Sequence, residues 1–184
     1  MLPAIRLISE AAEFAARRHS GMARKGRSGE PYINHLAEVA NLLAAVTDGA
    51  DAELVAAGWL HDTIEDTATT RDELARAFSA RVASLVVECT DDMSLPKPVR
   101  RQKQIDDAPH KSQAAKLIKT ADKISNIGAR IVLHPSKHER DDLADYAGWA
   151  EKVVAGCRGV NPRLDRIFDD TIARAKAALT EAGG

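Results

Sequence analysis

Apolar residues recur along this chain every three to four positions and almost nowhere at every second one. That period belongs to helices packed through one face. Ile5, Ile8, Ala12 and Ala15 form a first stripe; Leu36, Val39, Ala40 and Leu43 form a second. Asp51 is placed to cap a third helix, which carries Leu54, Ala57, Gly58 and His61 on one face. Thr70, followed three residues later by Glu73, fits a capping box at the head of a further helix. "ARVASLVVECT" keeps the same period and runs into a breaker segment, "SLPKPVR", with two prolines. The pattern predicts a long helix from Ala114 to Val132, ending before Pro135, and another from Lys137 to Gly156. Asn161-Pro162 opens a last helix that runs through Ala178, and the tail "EAGG" is expected to fray. "SLVV" and "RIVL" have strand-like composition but are short and sit inside helical periodicity. The expected class is all-α, as one domain over residues 1–184.

Composition changes this picture little. Hydrophobic residues make up 45% and aromatics only 4%, so the core must be mostly aliphatic. Lys and Arg number 26 against 27 Asp and Glu, which leaves no global field to favour nucleic acid or a membrane surface. Anion binding would have to come from a local cluster. Cys89 and Cys157 show no metal-ligand spacing and read as two buried thiols in a reducing, cytoplasmic interior. No apolar run approaches the roughly 20 residues of a membrane span. The start, "MLPAIRLISEAAEF", meets Glu10 and Glu13 too early for a secretory signal and reads as mature protein. "GMARKGRSGEPY", Gly21 to Tyr32, lacks apolar periodicity. Its three glycines and three basic residues make either a basic loop or a cradle for phosphate.

The chemistry concentrates in "HDTIED", residues 61–66. An HD dipeptide alone is weak: six His and sixteen Asp in this length supply about half an occurrence by chance. Its placement is informative. Leu54, Gly58, His61 and Glu65 share a helical face, and Asp62 and Asp66 stack one turn apart beside it. His61 therefore points where core residues point, and carboxylates against an apolar stripe call for a cation. Downstream, Ile118, Asp122, Ser125, Ala129 and Val132 share a face, with Asn126 one turn beyond Asp122. An Asp there is either paired with Lys119 or Lys123 or is a metal ligand. His35 starts the second helix beside the glycine-rich loop. Each of these has an ordinary structural explanation when taken singly. Together His35, His61, Asp62 and Asp122 form a mixed N/O donor set without thiolate. Such a set suits Mn²⁺ or Fe²⁺ and also accommodates Zn²⁺ or Mg²⁺. A Lewis acid that activates water is the natural chemistry. Glu65 and Asp66 are left over as an acid/base pair whose roles spacing does not divide.

The blocks "ARKGRSGEPYINH", "AGWLHDTIEDT", "RRQKQI", "AAKLIKTADKISN" and "YAGWAEKVV" occur in an order that resembles the HD-superfamily hydrolase domain of Rel/SpoT-type alarmone enzymes. The likeness is to the stand-alone small alarmone hydrolases and runs from about Ala11 to Gly159, with a C-terminal helix at about 161–180. The resemblance implies an all-helical fold and Mn²⁺-assisted removal of the 3′-pyrophosphate of guanosine tetra- or pentaphosphate (ppGpp, pppGpp). The products would be GDP or GTP and pyrophosphate. His35, His61, Asp62 and Asp122 match the metal ligands, and Glu65 and Asp66 the catalytic carboxylates. Arg24 and Lys25 match a basic pair beside the nucleotide, and Asn126 and Tyr146 match substrate-side positions. Lys97, Arg101 and Lys103 fall in the family's basic segment. Two departures stand out: His35 is followed by Leu36 where proline is common, and Asp142 stands where a basic residue is often found, with Arg140 nearby.

Two other functions fit parts of the pattern. A related HD phosphohydrolase could act on another nucleotide, such as NADPH at its 2′-phosphate, and kcat/KM across both substrates separates the two. A non-catalytic nucleotide sensor would be expected to lack Glu65 or Asp66, and both are present.

Overall fold

The computed structural model describes residues 3–24, 29–131 and 136–181. Within them the stripes become helices α1 (Ala4–Arg18), α2 (Ile33–Val46), α3 (Ala52–Leu60), α4 (Thr63–Asp66), α5 (Arg71–Ala77) and α6 (Ala80–Cys89). There follow α7 (Lys97–Asp107), a 3₁₀ turn (Ala108–His110), α8 (Gln113–Arg130), α9 (Lys137–Ala155) and α10 (Pro162–Glu181). The described residues hold no strand beyond an isolated antiparallel bridge between Ala23 and Pro31, so the all-α expectation holds.

Helix α3 is apolar on nearly every side, and α1, α2 and α6 pack around it. Leu36, Leu43, Leu54 and Leu60 are completely buried there, each contributing about 1.5–3 kcal/mol by leaving water. Gly58 allows α3 to approach α2 closely: a Cβ at that position would lie 2.6 Å from Leu43 Cδ1 and 3.3 Å from Ala40 Cα. A second apolar cluster joins α9 and α10 to the C-terminal half of α8. Helix α8 serves both, giving Ala115, Ile118 and Ala121 to the first cluster and Ile124 and Ile127 to the second. Of its five buried polar residues, Asp122, Lys123 and Ser125 fall where the two meet.

Several expectations need correction. In α1 the buried residues are Leu7, Ala11 and Ala15, whereas Ile5 is 83% exposed. The stripe is rotated because Leu7 and Phe14, not Ile5, reach the core around α3. The Thr70 hydroxyl does accept from Glu73 N–H, but the Glu73 side chain pairs with Arg18 and leaves the reciprocal half of the box unmade. A complete capping box forms instead at Ser136 and Glu139. The two prolines of "SLPKPVR" do not only break the chain; they open α7, with Pro96 as its cap. No residue of α7 is buried, so apolar periodicity had nothing to report there. Asp51 caps α3 as expected, through Leu54 N–H at 3.0 Å. The expected ends at Val132 and in the Ala182–Gly184 tail lie outside the described residues.

Candidate functional site

Helix α3 stops at Leu60, and His61 and Asp62, both right-handed, carry the chain into the single turn α4. The Thr63 hydroxyl bonds back to Leu60 O, closing this corner. His61 Nδ1 lies 2.8 Å from Gly58 O. A carbonyl only accepts, so Nδ1 carries the hydrogen and the neutral ring turns an Nε2 lone pair outward. From α2, His35 meets it edge-on, with ring centroids 5.2 Å apart. Both Nε2 atoms are buried and make no hydrogen bond. Asp62 Oδ2 stands 3.4 Å from His35 Nε2 and 3.1 Å from His61 Nε2. Asp122 Oδ1 of α8 stands 3.3 and 3.8 Å from the same two nitrogens. His35, His61 and Asp62 each offer a donor atom within 4.8 Å of the others. Two imidazole nitrogens without hydrogen-bond partners among the described residues, facing two carboxylates, suit a divalent cation.

Neighbouring groups hold the carboxylates in place. The Tyr32 hydroxyl donates to Asp62 Oδ2 at 2.7 Å, and the Tyr32 ring stacks on His19. Lys123 Nζ donates to Asp122 Oδ2 at 2.8 Å, and Asn126 Nδ2 donates to Oδ1 at 2.6 Å. In the protein by itself, burial opposes charge on the imidazoles, but Asp62 and Asp122 outweigh it. His35 is raised and His61 is pushed up to about 10. Burial likewise opposes ionisation of Asp62 and Asp122, yet His61 and His35 for the one, and Lys123 with both imidazoles for the other, hold them well below the usual carboxylate range. Burial raises Glu65, helped by the charges of Asp62 and Asp91 and opposed by Asp91 N–H, which bonds Oε2 at 3.0 Å. Asp66 is raised by partial burial and by Asp62.

Glu65 also borders an open cleft of about 210 Å³ between α7 and α9. Lys97, Arg100, Arg101 and Arg130 line it, with Tyr146 and Trp149 as aromatic walls. Arg130 lies over the Tyr146 ring at 3.9 Å and is held by Asp142 at 2.9 Å and by Asn126 O at 2.8 Å. Arg101 pairs with Asp145 at 2.7 Å and lies over Trp149, whose Nε1 donates to Arg101 O.

The structure thus brings His35, His61, Asp62 and Asp122 together, places Glu65 at the cleft, and sets Asp66 one turn beyond Asp62. Lys97, Arg101 and Tyr146 line the cleft, and Asn126 backs it through Arg130. Lys103 does not; it is exposed and pairs with Asp107. Arg24 is buried, with its guanidinium on Ser125, Glu30 and Glu38 and not in the cleft. Lys25 lies outside the described residues. Asp122 satisfies both readings offered for it, since Lys123 takes one oxygen while the other faces the imidazoles. Tyr32, Arg100, Arg130 and Trp149 were not singled out from sequence. Tyr32 had a usable signal, as one of two tyrosines in the chain and three residues before His35.

The HD domain family matches residues 11–145. The human guanosine-3′,5′-bis(diphosphate) 3′-pyrophosphohydrolase MESH1 is 44% identical over 159 residues, covering 86% of this chain and 89% of that protein. Its Drosophila melanogaster counterpart is 36% identical, covering 88% and 90%. The solved structure of a metazoan ortholog of SpoT that hydrolyses ppGpp superimposes with a TM-score of 0.83 at 35% identity, covering 91% of this chain and 94% of its own.

Proposed function

This chain belongs to the HD domain family, and from that premise we propose that it is a guanosine-3′,5′-bis(diphosphate) 3′-pyrophosphohydrolase dependent on a divalent metal. One observation carries the reading: two buried imidazole nitrogens, without hydrogen-bond partners among the described residues, converge with two carboxylates beside Glu65, at the edge of a cleft whose lining includes four cations and four carboxylates. The close relatives by sequence and by structure act on ppGpp. We assign His35, His61, Asp62 and Asp122 as ligands of Mn²⁺, whose preference for mixed N/O donors fits this set. When bound, the ion acts as a Lewis acid that activates water and offsets phosphate charge.

The protein's own groups do the rest. His61 is held by Gly58 O, so its ring cannot turn away from the ligand face. Lys123, Asn126 and Tyr32 fix the orientation of the two acids. Glu65 has its Oε2 tied to Asp91 N–H, which leaves Oε1 for proton transfer. Glu65 and Asp66, both raised above their ordinary values by burial, take a proton from the attacking water and return one to the departing ribose 3′-oxygen. The cleavage gives GDP from ppGpp, or GTP from pppGpp, with pyrophosphate. Lys97, Arg100, Arg101 and Arg130 receive the phosphates, and Tyr146 and Trp149 offer faces to the base. Residues 1–184 act as one domain in this reading. A cytoplasmic setting, where such nucleotides occur, accords with two buried free thiols.

The test is to incubate the Mn²⁺-loaded protein with ppGpp and resolve the products. GDP and pyrophosphate in equal amounts are expected; free phosphate without pyrophosphate, or no turnover, would sink the proposal. Glu65→Ala and Asp66→Ala should each abolish turnover while the protein still binds Mn²⁺.

A further inference from the structure

The proposed metal site needs each imidazole to present a bare Nε2. For His61 a backbone carbonyl ensures this, but His35 has no such partner. Its Nδ1 lies 2.8 Å from Ser125 Oγ, and a hydroxyl can either give or take a hydrogen bond. Taken alone, the contact leaves the tautomer of His35 open.

The other neighbours of Ser125 close it. Ser125 Oγ contacts Glu38 Oε2 and Arg24 Nη2, the latter at 2.7 Å. Arg24 Nη1 lies 3.1 Å from that same Glu38 oxygen. A guanidinium only donates, so Arg24 occupies one lone pair of the hydroxyl. A carboxylate beside an arginine only accepts, so the single hydroxyl hydrogen goes to Glu38. What remains on Ser125 Oγ is one lone pair, and His35 Nδ1 can approach it only as a donor. Arg24 Nη2 also bonds Ser125 O at 2.8 Å, which holds the serine backbone in register with the clamp. His35, Ser125 and Arg24 are 1%, 5% and 5% exposed, so water has little access with which to reverse this order.

We propose that Ser125, oriented by Glu38 and Arg24, is a positioning residue that keeps the hydrogen of His35 on Nδ1 and its Nε2 lone pair toward the metal. The proposal rests on the metal reading above and gives Arg24 a task at the ligand shell in place of one in the cleft. It also accounts for a buried serine and a buried arginine beside α2 and α8, joined to the half-exposed Glu38. Without Glu38, the Ser125 hydrogen could turn to Nδ1 and favour the opposite tautomer, with an N–H aimed at the cation.

The probe is Mn²⁺ itself, followed by the electron paramagnetic resonance signal of the free ion, with thermal melts of the metal-free proteins alongside. Ser125→Ala should weaken Mn²⁺ binding about 10-fold or more, the usual scale for a lost ligand-orienting partner. Ser125→Thr keeps the hydroxyl and should stay within about threefold of wild type on the same scale. Glu38→Ala changes a half-exposed side chain that touches no ligand. It should lower the metal-free melt, because buried Arg24 loses one of its two carboxylates, while the protein stays folded and binds Mn²⁺ severalfold more weakly. In the Zn²⁺-loaded wild type, the His35 Nδ1–H should appear in NMR spectra as a slowly exchanging proton, and in Ser125→Ala it should exchange rapidly. Should Ser125→Ala fail to fold, Glu38→Ala decides the matter. An unchanged Mn²⁺ affinity in either folded variant overturns the relay and leaves the metal site standing. A wild-type protein that takes up no Mn²⁺ removes the metal site and the relay together.

Discussion

Replacing Gly58 by alanine tests the packing that delivers His61 to the site. A methyl group at this position of α3 would fall 2.6 Å from Leu43 Cδ1 and 3.3 Å from Ala40 Cα. Leu43 is fully buried, so any shift of its Cδ1 must be absorbed by the surrounding core, and the Ala40 contact is backbone, which cannot turn aside. Overpacking of this kind costs about 1–3 kcal/mol. The better helix propensity of alanine returns up to about 1 kcal/mol. A net loss of about 1–2 kcal/mol follows, which for a chain of this size lowers Tm by about 2–8 °C. Because Gly58 O holds His61 Nδ1 at 2.8 Å, a displaced α3 should also weaken Mn²⁺ binding. Gly148→Ala in α9 is the matched control. Its Cβ would meet nothing within 4 Å, so stability should rise by about 0.5–1 kcal/mol. Calorimetric melts of the metal-free proteins decide the point. A Gly58→Ala protein that melts at or above wild type would refute the argument that α3 and α2 are in contact at their closest allowed distance.

The remaining predictions concern charge. The folded value of His61, about 10, lies above its ordinary 6.5. Its contribution to metal-free stability is therefore complete below pH 6.5, and metal-free melts should fall as pH rises toward 10. Mn²⁺ affinity should climb through the same window as protons leave the imidazoles. In the metal-free protein burial raises Glu65 and Asp66 from their ordinary values of 4.5 and 3.8, and the acid limb of kcat/KM should shift in Glu65→Gln. Chelation should abolish turnover and lower Tm, and Mn²⁺ at about 100 times its Kd should restore about 2.7 kcal/mol. Arg130→Ala removes a cleft cation held over Tyr146 and should raise KM for ppGpp about 10-fold or more while the metal-free melt changes little. Cys89 is buried and pushed up to about 12, and should resist thiol reagents until the protein unfolds.

The His/Asp cluster was readable from sequence because helical period places His61 and Asp122 among core residues, where an ionisable side chain needs a reason to be. The glycine-rich loop and the order of the motif blocks added the rest. Cleft cations were harder to read. Lys97 and Arg101 came only with the family resemblance, and Arg100 and Arg130 did not come at all. Helix α7 buries nothing, and Arg130 reaches the cleft only because Asp142, Asn126 and Tyr146 of other turns and helices hold it there.

Periodicity and residue type, then, determined by themselves that this chain folds as helices and that His61 and Asp122 face inward. Each of those facts depends on neighbours within a turn or two, which a linear pattern contains. Which nitrogen of His61 carries hydrogen, which oxygens of Asp62 and Asp122 face the imidazoles and where Arg24 spends its charge were decided only by tertiary structure. Ser125 meets Glu38 across 87 residues and Arg24 across 101. A hydroxyl has no preferred direction until its other partners are in place, and only the packing of α8 against α2 and the Met22–Arg24 segment supplies them.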